Sequence, residues 1–141
     1  MPDTFDRDGV RFQYPSGWEL ETETEGEGWT ASLQGPGTAF LVVTYCPGID
    51  DPSELVDAAV AGLRAEYPDL EAEDAVDTLG DQPSLGADVS FVHFDLTNTC
   101  WVRSLTAKDG AILILAQCTD LELENQGAAL RKVMETVTAE E

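Results

Sequence analysis

Positive charge is what this chain lacks most: seven Lys and Arg stand against 28 Asp and Glu in 141 residues, a formal net charge of -21. Such a surface repels phosphate backbones and anionic headgroups, which argues against nucleic acid and membrane surfaces as partners. Histidine is reduced to His93, with no serine or carboxylate at a diagnostic spacing to orient it as a base. No glycine-rich phosphate loop is present, since Gly35-Pro36-Gly37 lacks both the lysine and the spacing, and nothing else implies a cofactor. No apolar run reaches membrane-span length. The start, MPDTFDRDG, has no basic cluster followed by an apolar segment, so neither a signal peptide nor a lipoprotein leader is expected. Three cysteines, an odd number, fit a reducing compartment, and the cytoplasm is the expected location.

What is present is enough for one domain over residues 1–141, because 43% hydrophobic residues in a chain of this length can bury a core without metals or disulfides. The segment GVRFQYPSGWEL reads as a strand, a stop and a second strand. Val10, Phe12 and Tyr14 face one way and Arg11 and Gln13 the other, and Pro15 and Gly17 end the run. Glu19, Glu21 and Glu23 then alternate with Leu20, Thr22 and Thr24. A turn over Glu25 to Gly28 leads to Trp29, Ala31 and Leu33, giving a solvated hairpin. A charged edge strand discourages aggregation, and this is the simplest reading of the glutamate row. A cation site there lacks the enclosing oxygen cage that calcium prefers.

Beyond Gly35 to Gly37, AFLVVTYCP is nearly continuous in apolar residues and reads as a strand covered on both faces. Asp51, Pro52 and Glu54 make a helix start, with a stripe of Val56, Ala59, Val60, Leu63 and Tyr67 and a stop at Pro68. Leu70 to Leu79 is weakly strand-like and Gly80 to Gly86 reads as a turn region. A meander follows: Ala87 to Leu96, Thr99 to Thr106, and Ala111 to Cys118, the last central and two-sided. Thr119 and Glu122 suggest a second capping box before a closing helix with Leu123, Leu130, Val133, Met134 and Val137, whose start Gly127 makes irregular. The fold class expected from this order is α+β, a twisted antiparallel sheet with helices on both faces.

In their order these elements resemble the PsbP-like superfamily, which includes photosystem oxygen-evolving-complex subunits, Mog-type Ran-binding import factors and bacterial DcrB-like proteins. The resemblance rests on Phe12, Tyr14, Pro15, Gly17 and Trp18, on Thr78 to Gly80, on Lys108-Asp109-Gly110, and on the closing helix. It covers nearly the whole chain and implies an α-β-α sandwich. It implies no single activity, because members do different things and no Ran-contacting or photosystem-binding residue matches here.

Hairpin arithmetic supplies the one candidate for chemistry. A three-residue Lys108-Asp109-Gly110 loop would put Cys100 opposite Cys118, and a two-residue Thr97-Asn98 turn would add His93 on the same face. Two thiolates and an imidazole could hold zinc, with Cys46 as a fourth ligand, or form a Cys-His nucleophile. The same face carries Val102, Ile112, Ile114 and Ala116, so the simpler expectation is buried, reduced thiols and no metal. Trp18, Trp29 and Trp101 read as packing, and Arg103 as the partner of a carboxylate.

Two functional classes follow. The first is a non-enzymatic protein-interaction or assembly module that binds a protein partner, basic in character, through its acidic surface or its edge hairpin. The second is a small metal-binding protein or enzyme using His93, Cys100 and Cys118. A surface adapted to solubility or salt explains the acidity without any partner.

Overall fold

A computed structural model of the protein describes residues 2–140. In chain order the elements are β1 (Asp3–Arg7), β2 (Val10–Tyr14), β3 (Glu19–Glu25), β4 (Gly28–Gln34), β5 (Phe40–Pro47), α1 (Pro52–Glu66), β6 (Glu71–Leu79), β7 (Gln82–His93), β8 (Leu96–Ala107) and β9 (Gly110–Thr119). A π-helical turn, Leu123–Gly127, then leads into α2 (Ala128–Glu135), and β10 (Thr138–Ala139) closes the chain. One sheet has seven antiparallel strands in the order β3-β4-β5-β9-β8-β7-β6, and the other has three in the order β1-β2-β10.

This arrangement overturns the expected α-β-α sandwich. Strands make up 55% of the chain, and among the described residues there are ten of them in two sheets with only two short helices. The layer opposite α1 is in the main a second sheet. Its Phe5, Val10 and Phe12 pack in one core with Trp29, Ala31, Leu33, Leu41, Val43, Ile112 and Ile114 of the large sheet. The Phe5 and Phe12 rings stack at 4.9 Å, and Phe5 meets Trp29 at 5.1 Å. The short α2 fills the space beside that sheet with Leu130, Val133 and Met134. The strand β1 had no counterpart in the sequence reading, because DTFDR carries one apolar residue at a buried position, too little for an alternation signal.

Local signals fare better. Asp51 caps α1, its side chain accepting from the Ser53 backbone N–H at 3.0 Å, and Pro52 occupies the first turn. The stripe from Val56 to Tyr67 packs on Ala87, Val89, Phe91, Cys100 and Val102. The closing helix is shorter than expected: it enters through a π turn in which the Gly127 N–H reaches the Glu122 carbonyl at 3.2 Å, and Val137 is buried beyond its end. Much of the expected Gly80 to Gly86 turn is strand. Only Gly80 and Asp81 turn the chain, both at positive φ, and Pro83 is accommodated where β8 no longer pairs with β7.

Candidate functional site

The proposed cysteine and histidine cluster is not assembled. The last hairpin turns on Lys108 and Asp109, pairing Ala107 with Gly110, so that Cys100 lies opposite Gln117 and Cys118 opposite Thr99. That single-residue shift sends the two thiols to opposite faces. Cys100 sits beneath α1 with Val89 and Val102, while Cys118 joins the core under the small sheet. The preceding hairpin turns on Phe94 and Asp95 rather than Thr97 and Asn98, which pairs His93 with Leu96 and leaves it exposed at the sheet's end. There His93 meets Tyr67 edge-on at 5.4 Å and Phe94 at 4.1 Å. Among the described residues no group of three or more His, Cys, Asp or Glu is placed to hold a metal ion. Burial raises the Cys100 thiol to about 12 and pushes Cys46 and Cys118 upward as well, with the Glu122 charge adding to the shift at Cys118. All three are neutral thiols at physiological pH, the opposite of an activated nucleophile.

Arg103 has the role the sequence suggested. Its guanidinium, 2% exposed, reaches Asp77 at 2.9 Å and Asp88 at 2.8 Å, and it also donates to the carbonyls of Ala87 and Val102. Each of its three nitrogens has an oxygen partner, so the group joins β6, β7 and β8 rather than awaiting an anion. Trp29 is core, with its Nε1 donating to Asp8 at 2.8 Å, and Trp101 lies under Arg131.

Where the sheet is left uncovered is more informative. The contacts of α1 run to β8, β7 and β9, which is one half of the face it lies on. On the other half, β5 presents Phe40, Val42, Thr44 and Cys46, all half-buried, although the run had read as covered on both sides. The registers place Phe40 beside Gln34 and Gln117, Val42 beside Ser32 and Leu115, and Thr44 beside Thr30 and Leu113. The outermost members of these rows are the exposed carboxylates Glu19, Glu21 and Glu23, opposite Gln34, Ser32 and Thr30. An apolar floor on β5 and an acidic rim on β3 therefore share one face, with the polar row Gln34, Ser32 and Thr30 of β4 between them. Two hollows mark its ends. One of about 300 Å³ lies between Glu19, Glu21, Ser32, Phe40 and Val42, and one of about 330 Å³ between Thr30, Thr44, Cys46, Ile49 and Leu55.

The alternation of Glu19, Glu21 and Glu23 was legible in the sequence, but its alignment with Val42 was not. That alignment needs the β4–β5 register and the position of α1, and neither leaves a short-range signal. A larger groove, about 530 Å³, lies at the far end of the same sheet between Tyr67, Leu70, Phe91 and Thr97. Beside it, Phe94 is 86% exposed and Val92 67%.

No protein-family model matches the chain, and no curated protein matches its sequence. The solved structures that share its fold include two of nearly full coverage. One is PA94 from Pseudomonas aeruginosa, described as a protein of unknown function and a candidate regulator, with TM-score 0.59, 11% identity, and coverage of 99% of this chain and 98% of that one. The other is LpqN of Mycobacterium tuberculosis, described as involved in cell envelope biogenesis, with TM-score 0.55, 16% identity, and coverage of 98% and 88%. Among the described residues no helix is long and apolar enough to cross a membrane.

Proposed function

We propose that this chain is a non-enzymatic protein-interaction module that binds a basic protein partner through the uncovered face of β3, β4 and β5. The observation that carries this reading is the half-buried pair Phe40 and Val42 on a strand whose neighbours leave them open to solvent, bordered by Glu19, Glu21 and Glu23. A sheet face that only had to be soluble would alternate apolar-in with polar-out, and β5 does not. The carboxylate row steers a cationic partner, and the apolar floor supplies contact area once it arrives.

Kinship with the PsbP-like superfamily belongs to the same proposal, supported by Phe12, Tyr14, Pro15, Gly17 and Trp18 and by Thr78 to Gly80. The three unpaired thiols support a reducing compartment, the cytoplasm, as the place where binding occurs. The test is affinity capture from the source cell with wild type, V42E and E19Q/E21Q/E23Q in parallel. A basic protein retained at low salt, released as salt rises, and lost with both variants is the expected result. Retention that ignores both variants would overturn the assignment to this face.

A further inference from the structure

We infer that the occupant of the uncovered face is a basic amphipathic helix of the partner, lying alongside α1 and completing the helical layer on this side of the large sheet. The inference rests on the reading above that this face is a binding surface, and adds what binds it and how.

The space has helical dimensions. Strands in a sheet lie about 4.8 Å apart, so β3, β4 and β5 offer a strip roughly 10–14 Å wide, against a helix diameter of about 10–12 Å with side chains. The eight residues of β5 extend about 27 Å, the length of roughly 18 helical residues. α1 already shows how this sheet accepts a helix, setting Val56, Val60 and Leu63 on Val89 and Val102. A second helix in the vacant strip would place its apolar stripe on Phe40 and Val42, next to Leu115 of the cluster beneath α1, and its polar flank over Gln34, Ser32 and Thr30 of β4.

The charges have helical spacing too. Glu19, Glu21 and Glu23 recur every second residue of a strand, about 6.8 Å, and side chains at i and i+4 of a helix recur about every 6 Å. Lys or Arg at successive i+4 positions on the helix flank would each meet one carboxylate. An extended strand added to the free edge of β3 would use its backbone instead. The closing pair Glu25 and Gly28 directs the main-chain groups of Leu20, Thr22 and Thr24 outward, and the apolar floor would be left bare.

The probe is an 18-residue Leu/Lys peptide with leucines at i, i+3, i+4 and i+7, set against a scrambled isomer of the same composition, each titrated into the isotope-labelled full chain at physiological salt. The patterned peptide is expected to gain helicity and to shift amide resonances at residues 19–23, 30–34, 40–46 and 113–117. The scrambled isomer should bind about tenfold more weakly or worse, and V42E should weaken the patterned peptide by a similar factor. E19Q/E21Q/E23Q, all exposed, keeps the test decisive should V42E fold poorly, and it should flatten the salt dependence.

Equal binding by the scrambled isomer overturns the inference, as do shifts concentrated elsewhere or an extended peptide that protects the amides of Leu20, Thr22 and Thr24. Should the peptide fail while cellular capture remains sensitive to V42E and to the glutamine variant, the helix is wrong and the binding face stands. Insensitivity in both assays removes both.

Discussion

Replacing Glu122 by glutamine isolates a charge that ties the start of β5 to the end of β9 beside it. Its carboxylate accepts from the Thr38 N–H at 2.8 Å, the Thr38 hydroxyl at 2.6 Å, and the Thr119 N–H and hydroxyl, both at 3.1 Å. Thr38 precedes β5 and Thr119 ends β9, so the group pins the Gly35 to Ala39 loop onto the strand that β5 pairs with. Partial burial alone would raise its pKa, but the four hydrogen bonds outweigh that and hold it at about 2 instead of 4.5.

Each pKa unit of difference between folded and unfolded chain corresponds to about 1.4 kcal/mol, so the drop from 4.5 to about 2 corresponds to about 3.5 kcal/mol, which solvent screening of this partly exposed group reduces to about 2–3 kcal/mol at neutral pH. The contribution is complete above the unfolded value of 4.5 and disappears as pH falls toward about 2. Glutamine keeps one acceptor oxygen and turns an NH2 donor toward a Thr38 donor. The variant should therefore melt roughly 5–10 °C below wild type at pH 7 in a calorimetric scan. The gap should narrow steadily between pH 4.5 and pH 2.5. Because the other carboxylates are common to both proteins, their titration cancels in the difference. A gap that is the same at pH 3 and pH 7, or absent at pH 7, would refute the role of the charge.

Three further outcomes are expected. R103A should cost about 3–5 kcal/mol by chemical denaturation and R103M distinctly less, because methionine refills the volume while Asp77 and Asp88, both partly exposed, return to water; equal losses would argue against that account. In the native protein a thiol reagent should modify half-buried Cys46 well before Cys100, and mild oxidation should not join Cys100 to Cys118, since they lie on opposite faces; a rapid intramolecular disulfide would contradict the β8–β9 register. The melting temperature should rise with sodium chloride from low to moderate concentration as self-repulsion among 28 acidic side chains is screened, and a flat or falling curve would reject that repulsion.

Much of the local structure was legible because it depends on neighbours in sequence. Asp51 and Pro52 start a helix wherever it later packs, and Val10 and Phe12 alternate with Arg11 and Gln13 on any strand. Those signals do not say what covers a strand. The sequence of AFLVVTYC is the same whether a helix lies on Val42 or not, and only the position of α1 over β7, β8 and β9 leaves that side chain open.

Register was lost for a related reason. Lys108-Asp109-Gly110 fits a loop of either two or three residues, and one residue decides whether Cys100 and Cys118 share a face or lie on opposite ones. Composition and short-range pattern thus determined the acidic surface, the start of α1 and the alternation of the hairpins, all properties of residues a few positions apart. Tertiary structure decided that a three-stranded sheet forms most of the second layer, that the cysteines part, and that Glu19, Glu21 and Glu23 border an apolar floor. Each of these depends on which distant strands pair and in what register, a choice made by burial summed over the whole chain rather than by any segment of it.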